Sequence, residues 1–272
     1  MSFSQEQRSR PMVADGERLR RPLLKWLFLL PRLIFKLWFM LVFALSLVLL
    51  YIPFRVLLRK PSRYPRAFML MRFWGGFLGF FMLMPIRVRR EGMLPPPPYV
   101  VCINHSSYLD IVHTFNVVPD YFLFMGKYEL LKWPLFNIFF KDMHIAVNRG
   151  SRTEAARALM KAGRAIDLGV SVSIFPEATI PQSSPRMKTF KDGAFRLAIE
   201  KQVPIVPITF LDNWRLLGDP EKWSSRGHPG IARAVVHPPV PTKGLAVSDI
   251  DTLRRHVFDI IEAPLRAEYP GS

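Results

Sequence analysis

Eighteen consecutive residues without a charge, "LWFMLVFALSLVLLYIPF" at 37–54, limit what this chain can become more than any other stretch. Trp, Phe and Leu cover every face of a helix built from them, so no polar stripe is left for water, and the run is long enough to reach across a hydrocarbon layer of about 30 Å. "KWLFLLPRLIFK" precedes it, and Arg55, Arg59, Lys60, Arg63 and Arg66 follow. Basic residues flanking an apolar helix mark the side of a membrane that bears anionic lipid. A second run, "FWGGFLGFFMLMPI" at 73–86, has 14 residues and is broken by Gly75, Gly76, Gly79 and Pro85, which suits a segment lying in one leaflet. The expectation is a membrane-associated pair of helices, dipping into a leaflet or crossing it, with the remaining chain on the cytoplasmic face. A twin-arginine export signal starting at Arg20-Arg21 fits poorly, because the apolar region is too long and too bulky and no small-residue cleavage site follows.

A formal net charge of +17 over 272 residues would also suit a nucleic-acid binder, so its distribution decides. Residues 1–90 hold 17 Lys and Arg against 3 Asp and Glu, whereas residues 91–272 hold 21 against 18. The basicity travels with the apolar runs, which points to membrane lipids as partners and to no nucleic acid. The single cysteine, Cys102, sits inside an apolar run, which excludes a disulfide framework and reads as a small buried side chain.

The composition divides the chain into a polar, disordered tail over 1–22, a membrane-associated two-helix segment over 23–90 and an α/β domain over 91–272. "PPPP" at 95–98 reads as a stiff linker between the last two. Beyond it, β-rich runs alternate with helical patterns: 99–103 then 107–117, 121–124 then 127–140, 143–147 then 152–168, 170–175 then 191–201, and 203–210. Such alternation predicts a mixed, largely parallel β-sheet flanked by helices. "ARAVVHPPV" at 232–240 adds an edge strand, with its prolines at the end, and 248–263 reads as a closing helix.

Ligands of open α/β sheets gather at the carboxyl ends of strands. The segments after 103, 124, 147 and 175 hold His105 and Asp110, Lys127, Arg149, and Glu177 with Thr179. In a regular helix, His105 and Asp110 would point about 140° apart. With His105 in the turn leaving the strand and Asp110 in the first turns of the next helix, the ring can fold back to the carboxylate. Asn104, Ser106 or Ser107 would cap that helix, with its unpaired N–H groups facing the site. A carboxylate on one ring nitrogen leaves the other to accept a proton, which makes a general base in need of an external nucleophile. Ser106 as nucleophile would lack the G-x-S-x-G elbow. Arg149 and Lys127 offer two cations for an anionic substrate. Glu177, after a buried strand and a proline, is either a loop cap or a ligand hydrogen-bonder.

These blocks resemble the glycerolipid acyltransferase family that includes 1-acylglycerol-3-phosphate acyltransferases, across roughly residues 25–245. "NHSSYLD" matches the N-H-x-x-x-x-D block; "FPEAT" matches F-P-E-G-T except at Ala178, with Ile180 where arginine is common; "VPIVPI" at 203–208 matches the last block. Arg149 keeps its place in a looser second block, where Met143 and Ala146 replace Gly and Phe. The resemblance implies transfer of a fatty acyl group from an acyl-CoA or acyl-ACP thioester to the free hydroxyl of a lysophospholipid, foremost 1-acylglycerol-3-phosphate, with no metal or cofactor. It implies His105 as base, Asp110 as its orienting partner, and backbone N–H groups near the turn as oxyanion donors. Arg149 and Lys127 would hold the phosphate, and Glu177, Thr179 and Asn104 would line the acceptor site. Another lysolipid, an acylated amino acid, or a catalytically silent lipid-binding module are the alternatives. Acyl carrier protein is the macromolecular partner such chemistry would use.

Overall fold

The computed structural model describes residues 15–218 and 225–271. Of the tail expected over 1–22, residues 1–14 lie outside the described residues, and the remainder opens the first helix. In chain order the elements are α1 (Asp15–Leu58), α2 (Tyr64–Phe81), β1 (Ile86–Arg90), β2 (Val100–Ile103), α3 (Leu109–Val117), β3 (Phe122–Lys127), α4 (Asn137–Asp142) and β4 (Ile145–Val147). They continue with α5 (Arg152–Asp167), β5 (Ser171–Ile174), α6 (Gly193–Lys201), β6 (Ile205–Phe210), α7 (Asn213–Leu216), β7 (Ala232–Val236) and α8 (Ile250–Glu268).

Seven strands form one sheet in the order β1-β7-β6-β2-β5-β3-β4. Every pairing is parallel except β6 with β7. All four residues of β2 and of β5 are buried, as central parallel strands covered on both faces must be. The pleat of β2 sends Val101 and Ile103 into one core and Val100 and Cys102 into the other. The first core joins the sheet to Phe54 of α1, Trp74 of α2 and Phe139 of α4; the second joins it to Ala162 of α5, Phe195 of α6 and Val257 of α8.

Three expectations need correction. The strand at 232–240 is not an edge: β7 lies between β1 and β6. The edge is β1, "IRVRR", whose three arginines hid it from a search for apolar alternation, and charge on an outer strand is a common guard against edge pairing. The sheet therefore begins at Ile86, ahead of the boundary placed at residue 91. Finally, 127–140 is not one helix. Pro134 holds Trp133 extended (φ −80°, ψ 121°), and Leu135 at φ 62° splits a 3₁₀ turn at Tyr128–Lys132 from α4.

The segment from Leu29 to Leu58 of α1 is long and apolar enough to cross a membrane by length and composition. It lies against α2 through Trp74, whose indole N–H donates to Ser46 at 2.8 Å. In turn α2 lies against α3, where a Cβ on Gly75 would stand only 3.1 Å from the Val112 carbonyl, so glycine permits the close approach.

Candidate functional site

The sheet order places β6, β2 and β5 side by side, so the residues leaving their carboxyl ends meet. From β2 come Asn104 and His105; from β5, Phe175 and Glu177; from β6, Asp212 and Asn213. His105 and Asp110 are brought together as their spacing predicts. His105 Nδ1 lies 3.0 Å from Asp110 Oδ2. An ionised carboxylate only accepts, so Nδ1 carries the proton and Nε2 keeps a free lone pair. The ring stacks on Phe175, with centroids 4.1 Å apart and planes 18° from parallel, and keeps 13% of its side chain exposed. Nε2 meets no protein hydrogen-bond partner among the described residues.

Asp110 is fully buried. Its Oδ2 also accepts from the Ser106 N–H at 2.6 Å and the Ser107 N–H at 2.8 Å, and its Oδ1 from Asn213 Nδ2 at 2.8 Å. The cap of α3 thus runs opposite to expectation: the carboxylate inside the helix reaches back to the turn. Ser107 has a lesser part, its Oγ accepting from the Leu109 N–H at 3.0 Å and donating to the Leu217 carbonyl. The amides of residues 105, 106, 107, 109 and 110 are all engaged within the protein, which removes them as the oxyanion donors expected at this helix start. Ser106 Oγ turns to Asp110 Oδ1 at 3.5 Å, away from the imidazole, so it is no activated nucleophile.

Asn104 and Glu177 change their parts. Both ends of the Asn104 side chain are taken by Phe210, its Nδ2 donating to the carbonyl at 3.0 Å and its Oδ1 accepting from the N–H at 2.7 Å. It ties the ends of β2 and β6 together and, being buried, turns both polar atoms into the protein. Glu177, 3% exposed, accepts from the His105 N–H at 2.8 Å on one oxygen and from the Lys188 N–H at 2.8 Å on the other. Of the two readings left open for it, loop cap fits and ligand contact does not. Burial pushes its carboxyl up to about 7, against the pull of the two amide donors.

The cations are placed differently. Lys127 ends β3 and Arg149 follows β4, two and three strands from β2, or roughly 10–15 Å at the usual inter-strand spacing. Both keep exposed surface, but part of the Arg149 guanidinium is enclosed by the protein, which lowers its affinity for a proton; the charge of Glu129, whose carboxylate is 3.9 Å from Lys127, opposes that shift. Thr179 is exposed and accepts from Lys188 Nζ at 3.0 Å. Lys188 and Asn213 are the site residues that reading the sequence missed. Asn213 follows the β6 strand, to which the carboxyl-end rule applies as it does to the other strands. Lys188 sits in the basic stretch "RMKTFK", a signal of charge with no spacing to interpret it. Among the described residues, no group of three or more His, Cys, Asp or Glu could hold a metal ion.

Residues 85–211 match the model of the Acyltransferase family. The 1-acyl-sn-glycerol-3-phosphate acyltransferase alpha of Mus musculus is 35% identical over 179 residues, covering 62% of this chain and 59% of its own length. The Homo sapiens protein of the same name is 34% identical over 183 residues, covering 63% and 60%. The chain thus spans about three fifths of the length of these relatives. The crystal structure of the 1-acyl-sn-glycerophosphate (LPA) acyltransferase PlsC from Thermotoga maritima superposes with a TM-score of 0.71 at 21% identity, over 88% of this chain and 96% of that one, a likeness of fold. The matched region, with N-H-x-x-x-x-D at the end of β2 and F-P-E at the end of β5, is an acyltransferase region similar to those of the glycerolipid acyltransferases.

Proposed function

We propose that the protein transfers a fatty acyl group from an acyl-CoA or acyl-ACP thioester to the free hydroxyl of 1-acylglycerol-3-phosphate, giving phosphatidic acid at a membrane surface. The observation that carries this reading is the His105 ring, oriented by Asp110 at 3.0 Å and seated flat on Phe175, with Nε2 open to a reactant. The acceptor hydroxyl gives its proton to Nε2 as its oxygen bonds to the thioester carbonyl carbon. Collapse of the tetrahedral adduct breaks the C–S bond, and the proton passes from the imidazolium to the departing thiolate. The curated relatives named for lysophosphatidate acylation support this acceptor.

Arg149 and Lys127 hold the acceptor's phosphate in this reading. Ile180 stands where the family often has arginine, and Lys188 Nζ on Thr179, one residue away, supplies a cation in that neighbourhood. Glu177 serves the chemistry indirectly by holding the His105 amide.

The lipid reaches the site from a leaflet on which α1 and α2 rest. Their outward side chains, including Leu49 (74% exposed), Ile52 (67%), Phe73 (66%) and Phe80 (72%), form an apolar surface rimmed by Arg55, Arg59, Lys60, Arg63 and Arg66. The inner face of α2 is occupied by the domain, with Phe68 against Phe115 and Phe122. A helix so covered cannot be ringed by lipid, which favours a pair dipping into one leaflet over two crossings. The basic rim faces the anionic cytoplasmic leaflet.

The experiment is acceptor-dependent thiol release from a long-chain acyl thioester, with a panel of lysolipids and acyl-amino acids and product masses. Phosphatidic acid from lysophosphatidate is the expected product. Turnover with an acyl-amino acid and none with lysophosphatidate overturns the acceptor; thiol release surviving His105→Ala overturns the mechanism.

A further inference from the structure

Asp110 orients the base, and its own orientation has a cause outside the N-H-x-x-x-x-D block. Three donors meet its Oδ2, but a planar carboxylate is fixed in rotation only when the other oxygen is held too. Asn213 Nδ2 does this at 2.8 Å on Oδ1, where Ser106 Oγ adds only a long contact at 3.5 Å. The amide is itself held. Its NH2 must face the carboxylate, so its oxygen faces His113 Nδ1, 3.0 Å away, and His113 Nε2 lies 3.1 Å from the Met84 carbonyl. Met84 stands just beyond α2, where Leu83 turns the chain at φ 53° and the Met84 N–H donates to the Gly79 carbonyl at 2.8 Å. Met84, His113, Asn213 and Asp110 are each 0% exposed, so water replaces none of these contacts.

We propose that Asn213 and His113 are positioning residues for acyl transfer, forming a buried hydrogen-bonded line that fixes the Asp110 carboxylate from the end of the lipid-facing helix α2. The polar character of both side chains makes sense only through this line. Asn213 and His113 lie between apolar neighbours such as Phe210, whose ring centroid is 6.2 Å from the imidazole, and a buried polar group left unpartnered costs about 1–3 kcal/mol. Both ring nitrogens of His113 face oxygens, and a neutral ring donates to one of them at a time. Burial lowers its pKa on balance, although Asn213, the Met84 carbonyl and the Asp110 charge pull the other way. His113 lies three residues after Asp110 on α3, so the two share a helix face, and Asn213 arrives from β6 to bridge them.

The inference rests on the acyl-transfer reading for its kinetic arm and on geometry alone for its spectroscopic arm. The wild-type chain and Asn213→Leu, alike in branching and heavy-atom count but unable to hydrogen-bond, are assayed on vesicles with palmitoyl-CoA and 1-oleoylglycerol-3-phosphate. The expected result is a kcat lower by about 10- to 100-fold, with KM for both substrates within about two-fold, as displacement of a reacting group by a fraction of an ångström produces. In parallel, the downfield ring N–H proton resonance of His105, assigned by its loss in His105→Ala, shifts in the variant. Asn213→Ser, which is smaller and admits water, gives a weaker effect of the same sign and serves should the leucine variant fail to fold. His113→Phe follows in the same direction. A folded variant with wild-type kcat and an unmoved His105 resonance overturns the proposal, as does a loss confined to KM or to melting temperature. A wild type inactive on every acceptor overturns the acyl-transfer reading, and the resonance still decides this one.

Discussion

The two halves of the site are built to different standards. Around His105 and Asp110, every polar atom of the carboxylate is partnered, the carboxylate is fully buried, and three strand ends are tied together by Asn104 and Glu177. Around Arg149, Lys127 and Thr179, side chains are exposed and their partners are other exposed charges. Under the proposed function, the difference separates two tasks. Proton transfer needs a fixed angle and distance before substrate arrives, because alignment gained during the reaction would be charged to its barrier. Binding a phosphate that arrives in a lipid surface needs reach, and a solvated Arg or Lys can adapt to where the headgroup lies. The rigid half sits in the central strands and the adaptable half toward the β4 edge.

The contrast breaks most directly at His105. His105→Ala should lower kcat by about 1,000-fold or more, leaving vesicle association unchanged; activity within tenfold of wild type would mean the rigid half is merely structural. Asp110→Asn comes next, with a loss of about 100-fold, because an amide cannot accept from the Ser106 amide, the Ser107 amide and the ring on one oxygen while its NH2 faces Asn213. Arg149→Ala should raise KM for lysophosphatidate by about tenfold, the worth of one charge-assisted hydrogen bond, with a smaller change in kcat. Lys127→Ala should do less, since Glu129 already shares its charge at 3.9 Å. If Arg149→Ala instead lowered kcat with KM unchanged, the cation would act in the transition state and the division of labour drawn here would fail.

Within the rigid half, the His105–Asp110 pair was legible, whereas the parts of Asn104 and Glu177 were not. A strand exit followed by a helix start fixes where residues 105 and 110 can go, so their meeting followed from spacing. What escaped was long-range: Asn213 lies 103 positions from Asp110 and Lys188 lies 11 from Glu177, and no periodicity links them. The fold followed the same rule. Central strands β2, β5 and β6 are uncharged and rich in Val and Ile, while β1 carries arginines and its partner β7 reads as an edge, because pairing order at a sheet margin leaves little mark on local sequence.

Glu177 tests the boundary between the halves. Its ordinary carboxyl value near 4.5 is raised to about 7 in the fold, chiefly by burial. A raised acid binds a proton more tightly folded than unfolded, so its favourable contribution is complete below about 4.5 and is lost as pH rises through 7. Within that window the slope approaches about 1.4 kcal/mol per pH unit. Glu177→Gln cannot ionise, so the melting temperature of wild type relative to the variant should fall between pH 5 and pH 8. A difference independent of pH would mean that the two amide donors hold the carboxylate ionised throughout.

The smallest effect falls on the next residue. Ala178 has φ 64°, the left-handed region, where a Cβ crowds the backbone at a cost of about 1–2 kcal/mol. The family's usual glycine escapes that cost but surrenders about 0.5–1 kcal/mol of unfolded-state entropy, so Ala178→Gly should stabilise by about 0.5–1 kcal/mol. The Ala178 N–H donates to the Phe175 carbonyl at 3.0 Å, closing the turn that carries Phe175 under the imidazole and sends Glu177 inward and Thr179 outward. The strain therefore sits at the joint between the fixed and adaptable halves, and its relief can be read separately in each. A rise in melting temperature with kcat and KM unchanged means the turn is pinned by Glu177 regardless of residue 178. A rise in stability with a higher KM means the alanine holds the Thr179 side in place for the acceptor. A fall in stability would show that residue 178 does not occupy the left-handed region in solution, and the turn that joins the two halves would need redrawing.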